Sequence, residues 1–400
     1  MLAVIAEPGA VAKNLFIGLD SNWNMGGLKY TRALKTLSTF VCYICFLVTV
    51  ISCRTPFEPL IDSPPSGYLV VEGIINTAKS STVITLSRAR LMSDPSKRPE
   101  SKAEVKIIGE NSATYPLVEK ANGVYESDVM TLPSQRYCVD IKTGDGKRYR
   151  SSLVTPKRTP PIDSVSWQRE EDGINIYVHS HDEQNQTRYY KWNTVETWEI
   201  RSDSKSEYYA VNTGKYDAEG KIIYSFPERS QEESDAMYFC WQQSISNQLL
   251  LGSTAKLSKD VISYPMVFIP NGNIKLGILY SILIEQVGLD AQQYEFYKSI
   301  KNNTETNGSI FDRQPSEMKS NIMCLTNLEE QVIGYVACTN VESKRIFINR
   351  PPAWPYRMIC DVAPFPILPV LVSKDPPLGT SYACGDCRTR GSSEKPVYWP

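Results

Sequence analysis

The chain has 400 residues, with 43 Lys+Arg against 44 Asp+Glu, a formal net charge of −1 and 42% hydrophobic residues. The balance leaves no clustered basic face of the kind that nucleic-acid binding requires. The length suffices for two domains, each with its own core.

In chain order, the first signal is an apolar run over residues 37–51, preceded by Lys29, Arg32 and Lys35. These read as the h-region and n-region of a secretory signal. Cys53 follows small Ser52, and Val50 stands three positions before it; this resembles the lipobox of bacterial lipoproteins. The lipobox implies cleavage before Cys53 and lipidation of its thiol and new amino group. Each buried lipid methylene contributes about 0.8 kcal/mol, so two or more chains hold a protein on a membrane. The run is only 15 residues, while a spanning helix needs about 20. Residues 1–24 carry Glu7 and Asp20 and do not suit an n-region, whereas Met25 opens one, so translation is expected to start at Met25. Residues 1–52 hold four of the 43 basic and two of the 44 acidic residues, so their removal leaves 39 and 42, a net of −3.

Residues 53–66 include Pro56, Pro59, Pro64 and Pro65 and read as an extended tether. Short runs rich in Val, Ile, Tyr and Thr follow at 68–75, 83–87, 103–108, 123–125, 137–141 and from Tyr149 onward. Turn residues separate them, which predicts a β-sandwich over 67–156. Its order resembles the transthyretin-like and immunoglobulin-like modules found beside bacterial outer-membrane receptors, an analogy of fold only. Pro156, Pro160 and Pro161 mark a boundary to a second, larger β-rich domain over 157–350. There Ile174, Ile176 and Val178 alternate with polar residues, and Tyr190, Trp192, Thr194, Glu196 and Trp198 share one face. The polar turn between these two runs predicts a hairpin. Further strands are expected at 238–241, 262–269, 275–286, 322–326, 332–339 and 345–349. One helix is expected near 291–303: Asp290 can cap it, Gln293 can reach back, and Tyr294, Phe296, Tyr297 and Ile300 form an apolar face ended by Gly308. Ten of the 26 prolines lie in residues 351–400. That segment predicts an extended C-terminal strap held by Trp354, Tyr398 and Trp399.

The motif search finds no His-Glu-x-x-His, no phosphate loop and no Gly-x-Ser-x-Gly elbow. His179 and His181 are the two histidines of the chain. Their i, i+2 spacing puts both on one strand face, with Asp182 and Glu183 next, as a solvated strand end or a minimal metal site. A Ser–His–Asp relay would need one of them beside a serine and an acid. Trp167, Tyr189, Tyr190, Trp192, Trp198 and Trp241 suit either sugar stacking or packing between sheets, and packing is expected for most. Asp163, Ser164 and Val165 resemble a short O-glycosylation signal.

Seven cysteines follow Cys53, an odd number, so at least one thiol is left out of internal pairing. Cys384 and Cys387 form a Cys-x-x-Cys in a Gly-, Ser- and Pro-rich tail. That setting suits a disulfide staple better than redox or zinc chemistry. Cys387 could pair with Cys384, Cys240 or Cys360, and sequence leaves these open.

Three blocks of sequence look familiar together. They are Gln286 to Asp290 with Tyr294 to Lys298, 308–316 and 320–322; Val332 to Val336; and Cys384 to Arg388 with Gly391 and Lys395 to Trp399. They resemble the Bacteroidota lipoproteins grouped as domain-of-unknown-function family 4249. The resemblance implies an outer-membrane lipoprotein, often encoded beside a TonB-dependent transporter, with no established activity to carry over. The expectation is therefore a mainly β, lipid-anchored, non-catalytic accessory of such a transporter, without a cofactor. The rival expectation is a surface glycan- or peptide-binding lipoprotein with no dedicated transporter.

Overall fold

The computed structural model describes residues 67–89, 98–305 and 319–400. The apolar run, Cys53, the tether and Gly308 lie outside the described residues. The chain is mainly β, and among the described residues no helix is long and apolar enough to cross a membrane.

Seven strands open the chain: β1 (Leu69–Asn76), β2 (Val83–Arg88), β3 (Glu104–Gly109), β4 (Thr114–Ala121), β5 (Val124–Glu126), β6 (Tyr137–Lys142) and β7 (Arg148–Ser151). They are antiparallel in the order β7-β6-β3-β4-β5-β2-β1. Inward residues alternate along them, as Leu69 and Val71, Ile84 and Leu86, and Val105 and Ile107 do. Tyr125, Ile141 and Tyr149 join the same core, so the sheet closes over itself as a sandwich. The run at β4 has few strongly apolar residues, so its pattern gives no strand signal.

The chain then enters β8 (Ile162–Arg169), β9 (Gly173–Asp182) and β10 (Tyr189–Arg201). The segment between the two β regions is pinned rather than loose. Thr159 is 1% exposed, its N–H donates to Asn340 Oδ1 at 2.8 Å, and its Oγ1 accepts from the Gly288 N–H at 2.9 Å. After β10 come an exposed hairpin of β11 (Val211–Tyr216) and β12 (Ile222–Ser225), then helix α1 (Gln231–Tyr238). Next are β13 (Phe239–Ile245), β14 (Leu250–Ser253), β15 (Asp260–Pro270) and β16 (Leu279–Leu289).

The expected β9–β10 hairpin does not form. β9 lies between β15 and β8 in one sheet, and β10 lies between β13 and β16 in another. Asp182 takes N–H donors from Gln184, Gln186 and Thr187, which folds the loop into a corner between layers. Both strands have a strongly apolar face, and stacking those faces buries more than pairing the edges would. Tyr190, Trp192, Trp198, Ile176 and Ile262 fill the space between the layers.

Helix α2 (Ala291–Glu305) begins as its residues require. The Gln293 N–H donates to Asp290 Oδ1 at 2.8 Å, and the Asp290 N–H donates to Gln293 Oε1 at 3.2 Å. Phe296 is buried beside Tyr335, and Tyr294 and Tyr297 pack on Leu251, Val287 and Leu289.

The chain next returns to the first sheet. β17 (Ile322–Cys324) pairs with β7, while β18 (Val332–Gly334) and β19 (Ala337–Thr339) run parallel to β1. These three short strands were expected within the second domain; they complete a ten-stranded first sheet instead. Gly334, at φ +140, allows the kink between β18 and β19, because a Cβ there would lie 2.1 Å from the Val71 carbonyl oxygen. β20 (Val341–Asn349) then joins β16 at the edge of the five-stranded second sheet.

The tail is less extended than its prolines suggest. β21 (Val362–Pro364), β22 (Val370–Lys374) and β23 (Pro377–Thr380) form a small sheet, followed by a helical turn, α3 (Tyr382–Gly385). Pro364 ends β21 and Pro377 begins β23, positions where the missing N–H costs little. Beyond Cys387 the chain runs as a strap across the second sheet.

Candidate functional site

The site grows from the register of β10. Its even residues Trp198 and Ile200 point into the core, so Thr197, Glu199 and Arg201 point to the outer face. Antiparallel pairing sets Trp241 beside Glu199 and Phe239 beside Arg201. From the other side, β16 contributes Leu279, and β20 places Arg345 and Phe347 on this same face. The edge of α1 brings Glu232 and Asp235. A capping box fixes α1, in which the Glu233 N–H donates to Ser230 Oγ and the Glu233 carboxylate accepts from the Ser230 N–H.

The strap lies on this face and supplies one wall. Trp241 and Ser392 exchange backbone hydrogen bonds at 2.8 and 2.9 Å. Gly391 permits the approach, because a Cβ there would sit 2.7 Å from the Trp241 oxygen. Arg390 donates to the Arg201 carbonyl at 2.9 Å. Trp399 is 6% exposed and packs edge-on against Trp241 and Phe347. Trp354 is buried as expected, but Tyr398 is not. It stays 38% exposed, held by Thr197 at 2.9 Å and by the Arg345 guanidinium 3.6 Å above its ring.

Between strap, α1 and sheet lies an open cleft of about 680 Å³, lined by Glu199, Arg201, Phe239, Trp241, Lys395 and Trp399 among others. That volume suits a small-molecule site, whose usual range is about 300–1,000 Å³. The charges are largely matched in place. Arg201 Nε donates to Glu199 at 2.7 Å, and its guanidinium lies 5.2 Å from the centre of the Phe239 ring. Lys205 lies 2.7 Å from Asp235, and together with Gln231 it holds that carboxyl below the usual carboxylate range. The lining contains no histidine or cysteine among the described residues. It presents aromatic walls, the planar Arg201–Glu199 pair, and one lining hydroxyl, Ser393.

The residues singled out from sequence fall as follows. Cys53 lies outside the described residues. Cys240 is bonded to Cys387, and Cys360 to Cys384. The Cys-x-x-Cys cysteines therefore do not bond to each other: Cys387 ties the tail to β13, whereas Cys384 closes a loop within the tail on Cys360. Cys138, Cys324 and Cys338 are free and buried, and burial pushes the Cys338 thiol up to about 12.

His179 and His181 lie on β9, away from the cleft. His179 Nε2 meets Ser166 Oγ at 2.7 Å, whereas His181 Nδ1 meets Asp163 Oδ2 at 2.7 Å. The two halves of a Ser–His–Asp relay are thus on different imidazoles. No group of three or more potential metal ligands occurs among the described residues. Asp163, Ser164 and Val165 lie on β8. Of the aromatics, Tyr190, Trp192 and Trp198 are core, Tyr189 is half-buried against Tyr294, Trp167 is exposed and Trp241 lines the cleft. Glu199, Arg201, Phe239, Glu232 and Asp235 had no sequence signal, because only strand register and the strap bring them together.

The family described as Domain of unknown function (DUF4249) matches residues 54–345. The chain belongs to the DUF4249 family. The match ends before the strap, so the cleft of this DUF4249 protein combines matched sheet residues with a wall beyond the matched span. No curated protein matches the sequence.

Solved structures with partial likeness include a DUF4785 family protein from Legionella pneumophila subsp. pneumophila str. Philadelphia 1, at 12% identity and TM-score 0.16, covering 55% of this chain and 52% of that one. The DUF4249 chain thus spans about half of the Legionella protein. A Bacteroides uniformis ATCC 8492 protein described as carbohydrate-binding has 10% identity and TM-score 0.16, covering 57% and 92%. Chitinase ChiA74 from Bacillus thuringiensis has 10% identity and TM-score 0.15, covering 52% and 30%. Likeness this weak carries no argument about function.

Proposed function

We propose that this DUF4249 chain is a non-catalytic outer-membrane lipoprotein, tethered through Cys53, that takes a ligand in the strap cleft and serves a TonB-dependent transporter. The observation that carries the binding role is the cleft itself. Its aromatic walls and prearranged ion pairs suit recognition, and among the described residues its lining holds no histidine or cysteine. Support for the anchor comes from the basic segment, the apolar run and Ser52–Cys53 in the sequence. Support for the transporter role comes from the family resemblance alone. A second reading, a surface binder of glycan or peptide without a dedicated transporter, draws on the same cleft.

Affinity purification from intact membranes separates the two. Recovery of a TonB-dependent receptor in stoichiometric amount is the expected result. Repeated isolation of the lipoprotein alone would favour the stand-alone binder. Cys53→Ala should release the chain from the membrane or stall its processing, and a variant that stays bound and normally processed would contradict the anchor.

A further inference from the structure

We propose that the strap cleft and a smaller hollow beside it form one groove, and that this groove binds a neutral oligosaccharide lengthwise across the Glu199–Arg201 pair. The inference rests on the cleft being the binding site and names what it binds. The smaller hollow, about 170 Å³, is lined by Ser202, Ile274, Gly277 and Tyr356 and shares both Glu199 and Arg201 with the larger one. A compact ligand would use one hollow. A chain of linked units can occupy both and cross the divider.

Charge selects against ionic polymers. In the large hollow Arg201 is matched by Glu199, and Asp235 by Lys205 from outside the lining, which leaves the side chains of Glu232 and Lys395. Asp203 adds one acid at the small hollow. The side-chain charges of the groove thus come within about one negative charge of neutral, too little for a strong long-range pull on a polyanion or a polycation.

The divider suits hydroxyl groups. Arg201 is held by Nε to Glu199 and by its face over Phe239, and among the described residues none accepts from its two Nη nitrogens. A guanidinium fixed in this way presents a planar fork of donors beside a planar carboxylate acceptor, and neighbouring sugar hydroxyls can donate and accept at once. Trp241 on one side and Tyr356 on the other give aromatic surface for the apolar faces of sugar rings. A peptide would most readily add to an open strand edge, but at Trp241 the edge of β13 is already taken by Ser392 of the strap.

Calorimetric titration of the full chain in detergent tests this. The probes are hexasaccharides of β-1,4-glucan, α-1,4-glucan and β-1,4-mannan, the matching disaccharides, a polygalacturonate hexamer and a mixed hexapeptide pool. At least one neutral hexasaccharide should bind roughly tenfold tighter than its disaccharide, with little dependence on salt. Arg201→Ala and Arg201→Lys should each weaken that hexasaccharide about tenfold and shift the disaccharide less than about twofold. Unchanged thermal midpoints would show that the variants are folded.

Preferential binding of polygalacturonate or peptide, lost in Arg201→Ala, overturns the neutral-glycan inference and leaves the cleft standing. Neutral-glycan binding that ignores Arg201 and Trp241→Phe overturns the cleft as the site. No binding of any neutral hexasaccharide overturns the inference.

Discussion

At the residue scale, Gln286 shows how a buried polar side chain ties the second sandwich together. Its Oε1 accepts from Trp192 Nε1 at 2.8 Å, and its Nε2 donates to the Pro160 carbonyl at 2.8 Å and to Ser180 Oγ at 2.9 Å. One amide thus joins both sheets and the segment between the two β regions. Gln286→Leu keeps similar volume but strands the Trp192 indole N–H and the Pro160 carbonyl, each costing about 1–3 kcal/mol, while the Ser180 hydroxyl keeps its bond to the Pro161 carbonyl at 2.9 Å. Denaturant unfolding should show a loss of about 2 kcal/mol or more; a loss below about 1 kcal/mol would mean that the network relaxes freely. The exposed His181 gives a second check. Its hydrogen bond to Asp163 raises its pKa above the ordinary value. Any stability from the pair is present below the unfolded pKa and fades as pH rises through the folded one. NMR titration should place His181 above about 6.5, and Asp163→Asn should lower it. Alternation alone made the buried face of β10 legible. The partners of that face were not, since Lys275 reaches Glu196 across 79 positions.

At the element scale, elements with local signals were readable and those set by tertiary contacts were not. Asp290 and Gln293 announce α2, and Ser230 with Glu233 carries the same signal for the shorter α1. No local pattern could show that β9 and β10 separate into two layers, because that choice depends on what else covers their apolar faces. The strap belongs here too. In the chain-entropy account, the Cys240–Cys387 link, with a separation of 147, contributes about 5 kcal/mol, and Cys360–Cys384, with a separation of 24, about 3.5 kcal/mol. Cys387→Ser should therefore destabilise the protein more than Cys360→Ser in parallel melts. Thiol titration of the unreduced, denatured chain lacking residues 1–53 should find three thiols, those of Cys138, Cys324 and Cys338. Seven would remove both ties.

At the scale of the whole molecule, the first sheet is finished by residues from far down the chain. Ile322, Cys324, Val332, Val336 and Cys338 belong to the same core as Leu69 and Ile84. Residues 67–156 alone should then lack a cooperative melt, and adding back the chain through residue 349 should restore it. The chain passes from one sheet to the next near Pro156 to Pro161, but Thr159 is buried there, so protease should spare this segment in the intact protein. The same long-range return explains why the cleft was invisible in sequence. Its floor comes from β10 and β13, its rim from α1 and its wall from the last eight residues. If the cleft is the binding site, the strap builds it. The most direct test is an intrinsic tryptophan fluorescence titration, with the tightest neutral hexasaccharide, of the full chain and of a Cys240→Ser, Cys387→Ser variant shown by circular dichroism to keep its sheets. Binding should be at least roughly tenfold weaker once the strap is untied. Equal affinity in the two proteins would show that the strap is no part of the site.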